Sequence, residues 1–106
     1  MRGDVYRLRD NSQAQGHEQK GARYAVVLQS DALLGSTLIA APTSRSARPA
    51  SYRPEIVLDG TPTRVLVEQL QAVDPEKRFG PHAGRLSTEE QRQVDEAVRL
   101  ILGLFG

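Results

Sequence analysis

The six residues Gly3-Asp4-Val5-Tyr6-Arg7-Leu8 alternate apolar with polar side chains and predict a half-buried first strand over 3–8. Residues 9–22 form a long polar run with Gly16 and Gly21 as hinges. A loop of that length inside a small domain is usually functional or disordered. It gives way abruptly to "YAVVLQ", a nearly continuous apolar segment that predicts a central strand over 24–29. A short strand over 37–41 is expected to stop at Pro42. "EIVL" predicts another over 55–58 before the Asp59-Gly60 turn, and "TRVLVEQ" a further one over 63–69. Short strands joined by turn residues point to a mainly β fold, a small antiparallel barrel or sandwich.

The pattern changes near the end. Ser87-Thr88-Glu89-Glu90 has the Ser-x-x-Glu form of a capping box, in which hydroxyl and carboxylate satisfy the first free N–H groups of a helix. Behind it Val94, Val98, Ile101 and Leu102 recur at helical spacing, while Arg92, Asp95, Glu96 and Arg99 fall largely on other faces. A C-terminal amphipathic helix packed on the sheet follows.

At 106 residues the chain is expected to form a single domain over 1–106 with one core. No stretch has the unbroken apolarity of a membrane helix, and "MRGDVYRLRD" lacks the apolar centre of a signal peptide, so a cytoplasmic protein with no membrane partner is expected. The absence of cysteine removes disulfides, thiolate ligands and a cysteine nucleophile from consideration. Net charge is only +1, but "TSRSARPASYRP" holds three arginines and no acid. Of 14 basic residues 12 are arginine, a bias that suits bidentate phosphate contacts and equally suits a GC-rich coding sequence.

Few motifs carry chemistry on their own. There is no phosphate-cradling glycine loop, no nucleophile elbow and no metal-ligand spacing. Of the two histidines, His82 lies in the turn-rich "FGPHAGR" and is expected at the surface. His17 keeps richer company: Glu18, Gln19, Lys20 and Arg23 follow it closely. Metal-free RNA cleavage needs a base for the ribose 2′-OH, an acid for the leaving 5′-oxygen and cations around the phosphate. This loop contains all three kinds of group, and a solvated connector would contain them too.

Five blocks, in order, resemble the MazF/PemK/Kid family of bacterial toxin endoribonucleases. They are Arg2-Gly3-Asp4-Val5-Tyr6; Gly16-His17-Glu18-Gln19-Lys20-Gly21-Ala22-Arg23 with the strand behind it; Ala41-Pro42-Thr43-Ser44; Glu68-Gln69 through Asp74; and Gly84 through Glu90. The resemblance implies an SH3-like small barrel of the PemK/CcdB type with a C-terminal helix, a homodimer, no cofactor and no metal. It further implies a MazE-like antitoxin that occludes the RNA groove. The implied activity is metal-independent cleavage of single-stranded RNA, whether messenger, ribosomal or transfer, at short sequences. Attack by the 2′-OH leaves a 2′,3′-cyclic phosphate and a 5′-OH, which inhibits translation and growth.

Carried over by position, the family's catalytic arginine falls on Arg23 and its catalytic threonine on Thr43, while His17 matches the branch with histidine in the loop. An arginine suits charge stabilisation better than proton transfer, since its pKa lies above about 12; His17 is therefore the candidate acid or base. Glu18, Gln19, Lys20, Ser44, Arg45, Arg48 and Arg53, with Glu68 and Gln69 of the acid–Gln pair, become the expected RNA-binding walls. Two departures stand out. Tyr24 replaces the family's proline and offers a ring for base stacking, and Leu66 occupies a position that carries a functional arginine in some members, with Arg64 two residues before it. The CcdB branch shares the barrel but poisons gyrase, so a gyrase poison and a degenerate binding-only homologue are the alternatives.

Overall fold

A computed structural model describes residues 1–9, 23–33 and 35–104. Seven strands, β1 (Asp4–Leu8), β2 (Tyr24–Val27), β3 (Leu38–Ser44), β4 (Glu55–Leu58), β5 (Thr61–Val65), β6 (Gln71–Val73) and β7 (Phe79–Arg85), form one curled antiparallel sheet. Its order is β4-β5-β3-β2-β1-β7, with β6 also on β3. A short helix α1 (Pro75–Arg78) precedes β7, and α2 (Thr88–Leu102) closes the described chain. Mainly β with a C-terminal helix, the sheet is a half-barrel as expected. Among the described residues no helix is long and apolar enough to cross a membrane.

Strand alternation sends side chains to two faces. The inner face gathers Val5, Val26, Ala41, Ile56, Leu58 and Val65, covered by Val67, Leu86 and the helix residues Val94 and Ala97. The outer face carries a second cluster of Ala25, Val27, Ala40 and Phe79, flanked by Tyr6, Leu8, Leu38 and Val73. Tyr6 stacks on Phe79 with ring centroids 4.8 Å apart. A strand buried on both faces needs no polar alternation, which explains the unbroken run Ala25-Val26-Val27.

Three expectations require correction. Pro42 does not stop β3, which runs on to Ser44. Along one edge β3 exchanges partners, from β6 at Ala40–Gln71 to β5 at Thr43–Val65, and Pro42 sits at the exchange, where the missing N–H breaks no ladder. The strand expected over 63–69 ends at Val65, because Leu66 N–H turns to the Pro42 carbonyl at 2.8 Å and Val67–Gln69 coil into a single 3-10 turn. Val67, fully buried, is thereby delivered to the core beneath α2. "FGPHAGR" is strand β7, not a turn; its irregular residues are absorbed as register shifts against β1.

The capping box at Ser87 forms as expected, with Glu90 N–H donating to Ser87 Oγ at 3.1 Å and Ser87 N–H to Glu90 Oε1 at 2.9 Å. Val94, Val98 and Ile101 face the core, joined by Ala97, but Leu102 is exposed. At about 100° per residue it lies roughly 90° from the centre of that stripe. Gly103 ends the helix in the left-handed conformation at φ 72°. The half-exposed His82 side chain brings Nε2 within 3.1 Å of the buried Asp4 carboxylate, which also accepts from Arg85 at 3.0 Å. Burial pushes the Asp4 pKa up, but these hydrogen bonds outweigh it and hold the group below its ordinary value.

Candidate functional site

The end of the β2–β3 ladder sets the geometry. Pairing runs Val27–Ala40, Val26–Ala41, Ala25–Pro42 and then stops. One further step would place Tyr24 opposite Thr43, where the Tyr24 N–H would meet the Thr43 carbonyl. Instead the Thr43 hydroxyl oxygen takes that N–H at 3.2 Å. The vacated carbonyl accepts from the Arg23 guanidinium, at 3.2 Å from Nη2 and 3.4 Å from Nε. This exchange of acceptors ties the arginine to the last strand residues. Among the described residues Arg23 uses two of its five N–H donors in doing so.

Thr43 belongs to the inner face. It pairs with the core residue Val65 and is 2% exposed, so its hydroxyl lies beneath the surface. Arg23 lies on the outer face, in a cavity of about 130 Å³ that it lines together with Arg78, Gln69 and Gln71 over an apolar floor that includes Leu8, Ala25 and Pro42. Two guanidiniums and two amides, with no carboxylate among the described lining residues, make a site for an anion with further hydrogen-bonding edges. Arg9 stands nearby, its Nε donating to the Phe79 carbonyl and its N–H to that of Arg78, both at 2.8 Å. The Arg78 Nε is buried and has no partner among the described residues.

Sequence reasoning did not single out Arg78 or Gln71. The run Asp74-Pro75 does signal a helix start, and the Asp74 side chain accepts from Glu76 N–H at 3.0 Å with Pro75 in the first turn. Nothing in that signal indicates that the last residue of α1 reaches back across β1 to Arg23.

The remaining expected residues are spread over several places. Gln69 joins Arg23, while Ser44 ends β3 paired with Arg64, its Oγ accepting from Ser46 N–H at 3.2 Å. Tyr24 and Arg45 line a different cavity on the opposite face. Arg53 and Glu68 hold each other: Nε and Nη2 of Arg53 lie 2.9 and 2.6 Å from Glu68 Oε2, while Nη1 donates to the Arg48 carbonyl at 3.2 Å. Arg64 does not reach toward the Leu66 position. Its guanidinium donates to the Arg53 carbonyl at 2.8 Å and sits 3.6 Å from Glu55, and Leu66 is buried. Arg48 is exposed. His17, Glu18, Gln19 and Lys20 lie outside the described residues.

The chain is thus a curled half-barrel with a C-terminal helix and a guanidinium pocket at the start of β2. The chain belongs to the PemK-like, MazF-like toxins of type II toxin–antitoxin systems, whose family profile matches residues 1–102. It is 39% identical over 104 residues to the Mycobacterium tuberculosis protein Rv3098A/RVBD_3098A, whose name carries a provisional toxin assignment; 98% of each chain is covered. Among solved structures, it resembles an endoribonuclease in complex with its cognate antitoxin from a mycobacterial species. That match has 17% identity and TM-score 0.76, and covers 100% of this chain and 97% of the other. MazF from Deinococcus radiodurans has 24% identity and TM-score 0.75, over 96% and 94% of the two chains. At these identities the structural likenesses speak for the fold.

Proposed function

We propose that this protein is an endoribonuclease toxin that cuts single-stranded RNA at the Arg23 pocket without a metal. The observation that carries the reading is the exchange of acceptors at the strand end, which anchors the Arg23 guanidinium through two of its five donors among the described residues. In the reaction the ribose 2′-oxygen loses its proton and bonds to phosphorus, and the bond from phosphorus to the 5′-oxygen breaks. The leaving oxygen takes up a proton, so a 2′,3′-cyclic phosphate and a 5′-OH remain. Arg23 offsets the charge growing on the non-bridging oxygens, and Arg78 supplies a second cation on the same cavity.

Thr43 acts from beneath as a positioning residue: its hydroxyl occupies the Tyr24 N–H so that its carbonyl is left for Arg23. His17 is the proposed acid or base, the one imidazole in the loop sequence. Gln69 and Ser44 flank the phosphate, with Glu18, Gln19 and Lys20 on the loop side. Arg45 and Arg48 engage the RNA, Arg48 at its backbone, and the Arg53–Glu68 pair braces that wall. The protein works as a cytoplasmic homodimer restrained by a MazE-like antitoxin; the antitoxin complex of the mycobacterial structural relative supports that partner.

The test is incubation of purified protein with mixed RNA in EDTA, followed by mapping of 5′-hydroxyl ends. Discrete cuts that disappear in Arg23→Ala are expected. Intact RNA overturns the proposal, and intact RNA with stalled gyrase replaces it by the gyrase-poison reading. Sedimentation as a monomer at micromolar concentration contradicts the dimer.

A further inference from the structure

Arg23 and Tyr24 are consecutive, and strand alternation turns them to opposite faces. Tyr24 packs against the inner core and lines a cavity of about 210 Å³ with Leu58, Arg45, Asp59, Thr61 and Thr63. It is roomier than the Arg23 cavity, and its walls differ in kind. Tyr24 and Leu58 give it an aromatic and an aliphatic surface. Thr61 and Thr63, two residues apart on β5, present hydroxyls with no hydrogen-bond partner of their own among the described residues. Asp59 and Arg45 are both exposed, of opposite charge, and lie on one small cavity without pairing with each other. Asp59 is fixed in the turn at φ 52°, in the left-handed region that asparagine and aspartate tolerate.

We infer that this cavity is a base-binding subsite that selects guanine. A single-stranded base stacks on an aromatic ring and is read along its exposed edges. Guanine offers N1–H and N2–H side by side, matching the two oxygens of the Asp59 carboxylate, and its O6 and N7 accept from an arginine such as Arg45. Adenine, cytosine and uracil do not present two adjacent donors, so each leaves a carboxylate oxygen unsatisfied. The inference rests on the ribonuclease reading for its biological meaning, but the pocket can be examined without cleavage.

The experiment is an NMR titration of the full chain with 5′-GMP, 5′-AMP, 5′-CMP and 5′-UMP, followed by cleavage mapping of wild type and Asp59→Asn. Asparagine keeps the turn while it replaces one acceptor oxygen by a donor. GMP is expected to shift the amides of Asp59, Thr61 and Thr63 and to bind at least ten-fold tighter than the other nucleotides. Asp59→Asn should abolish that preference, and wild-type cuts should carry guanine at one fixed offset that the variant no longer requires. Equal or absent shifts with all four nucleotides overturn the subsite, as does a guanine preference unchanged in Asp59→Asn. GMP selectivity in a protein that leaves RNA intact upholds the subsite while the nuclease reading fails.

Discussion

Substituting Thr43 by Val tests the acceptor exchange directly. Valine preserves the shape of a side chain that is 2% exposed but removes the oxygen that accepts from Tyr24 N–H at 3.2 Å. That N–H can stay unpaired, at a cost of about 1–3 kcal/mol, or bond the residue-43 carbonyl as an uninterrupted ladder would. The second course costs less and displaces Arg23, so the expected loss of stability is below about 1 kcal/mol, a fall in Tm of no more than roughly 4–8 °C. The contact that Arg23 loses is a hydrogen bond from a charged group, worth about 1.5–3 kcal/mol. If all of it serves to hold the guanidinium on the phosphate, kcat/KM falls about 10- to 150-fold. Thr43→Ser keeps the hydroxyl and should stay within about three-fold of wild-type rate, while loss of a buried methyl costs it about 1 kcal/mol of stability. The two variants therefore exchange order between a melting curve and a cleavage assay. Binding of uncleavable RNA to Arg23→Ala, Thr43→Val and the double variant completes the test: with arginine gone, the valine should change nothing further. An additional loss in the double variant, or wild-type kcat/KM in Thr43→Val, refutes the positioning role.

Four further outcomes follow from the structure. Arg48→Ala should lower the salt slope of RNA binding by about 0.7, as loss of one phosphate contact on a single strand does. Arg53→Ala should leave that slope unchanged and instead destabilise the fold, since Glu68 loses its partner and already has one buried oxygen unpartnered among the described residues; denaturant melts and binding isotherms at several salt concentrations decide both. Arg78→Gln should weaken RNA binding at least ten-fold with little change in Tm, measured by fluorescence anisotropy; unchanged binding removes Arg78 from the site. For Asp4, the folded pKa lies below the unfolded value of about 3.9. Its stabilising contribution is thus complete above about pH 5 and lost as pH falls through the folded value. Asp4→Asn should cost about 2 kcal/mol at pH 7 and flatten the acid limb of stability, leaving the part due to Glu89, whose pKa the Arg92 hydrogen bond holds down to about 2; an acid limb identical to wild type contradicts this.

Much of the fold follows from local pattern. The alternation of β1, the continuous apolar run of β2, the Asp59-Gly60 turn and the Ser87 capping box each depend on residues close in the chain, so their physics is visible in the sequence. The choice of Arg23 and Thr43 came from a resemblance, and their adjacency became explicit only through the register of β2 against β3. Where local signals misled, a distant partner had intervened. Pro42 passes unharmed because β3 changes neighbours there, and residues 66–69 coil because Leu66 bonds to a carbonyl on another strand.

The sequence by itself determined the apolar faces, the helix with its caps and the concentration of arginine, because periodicity and capping act over a few residues. Only the tertiary structure decided which arginines are free and which are engaged. It paired Arg53 with Glu68, brought Arg78 beside Arg23, and set Arg23 and Tyr24 on opposite faces of one strand end. A guanidinium's role depends on what stands within a few ångströms of it, and strand register fixes that neighbourhood from residues far apart in the chain.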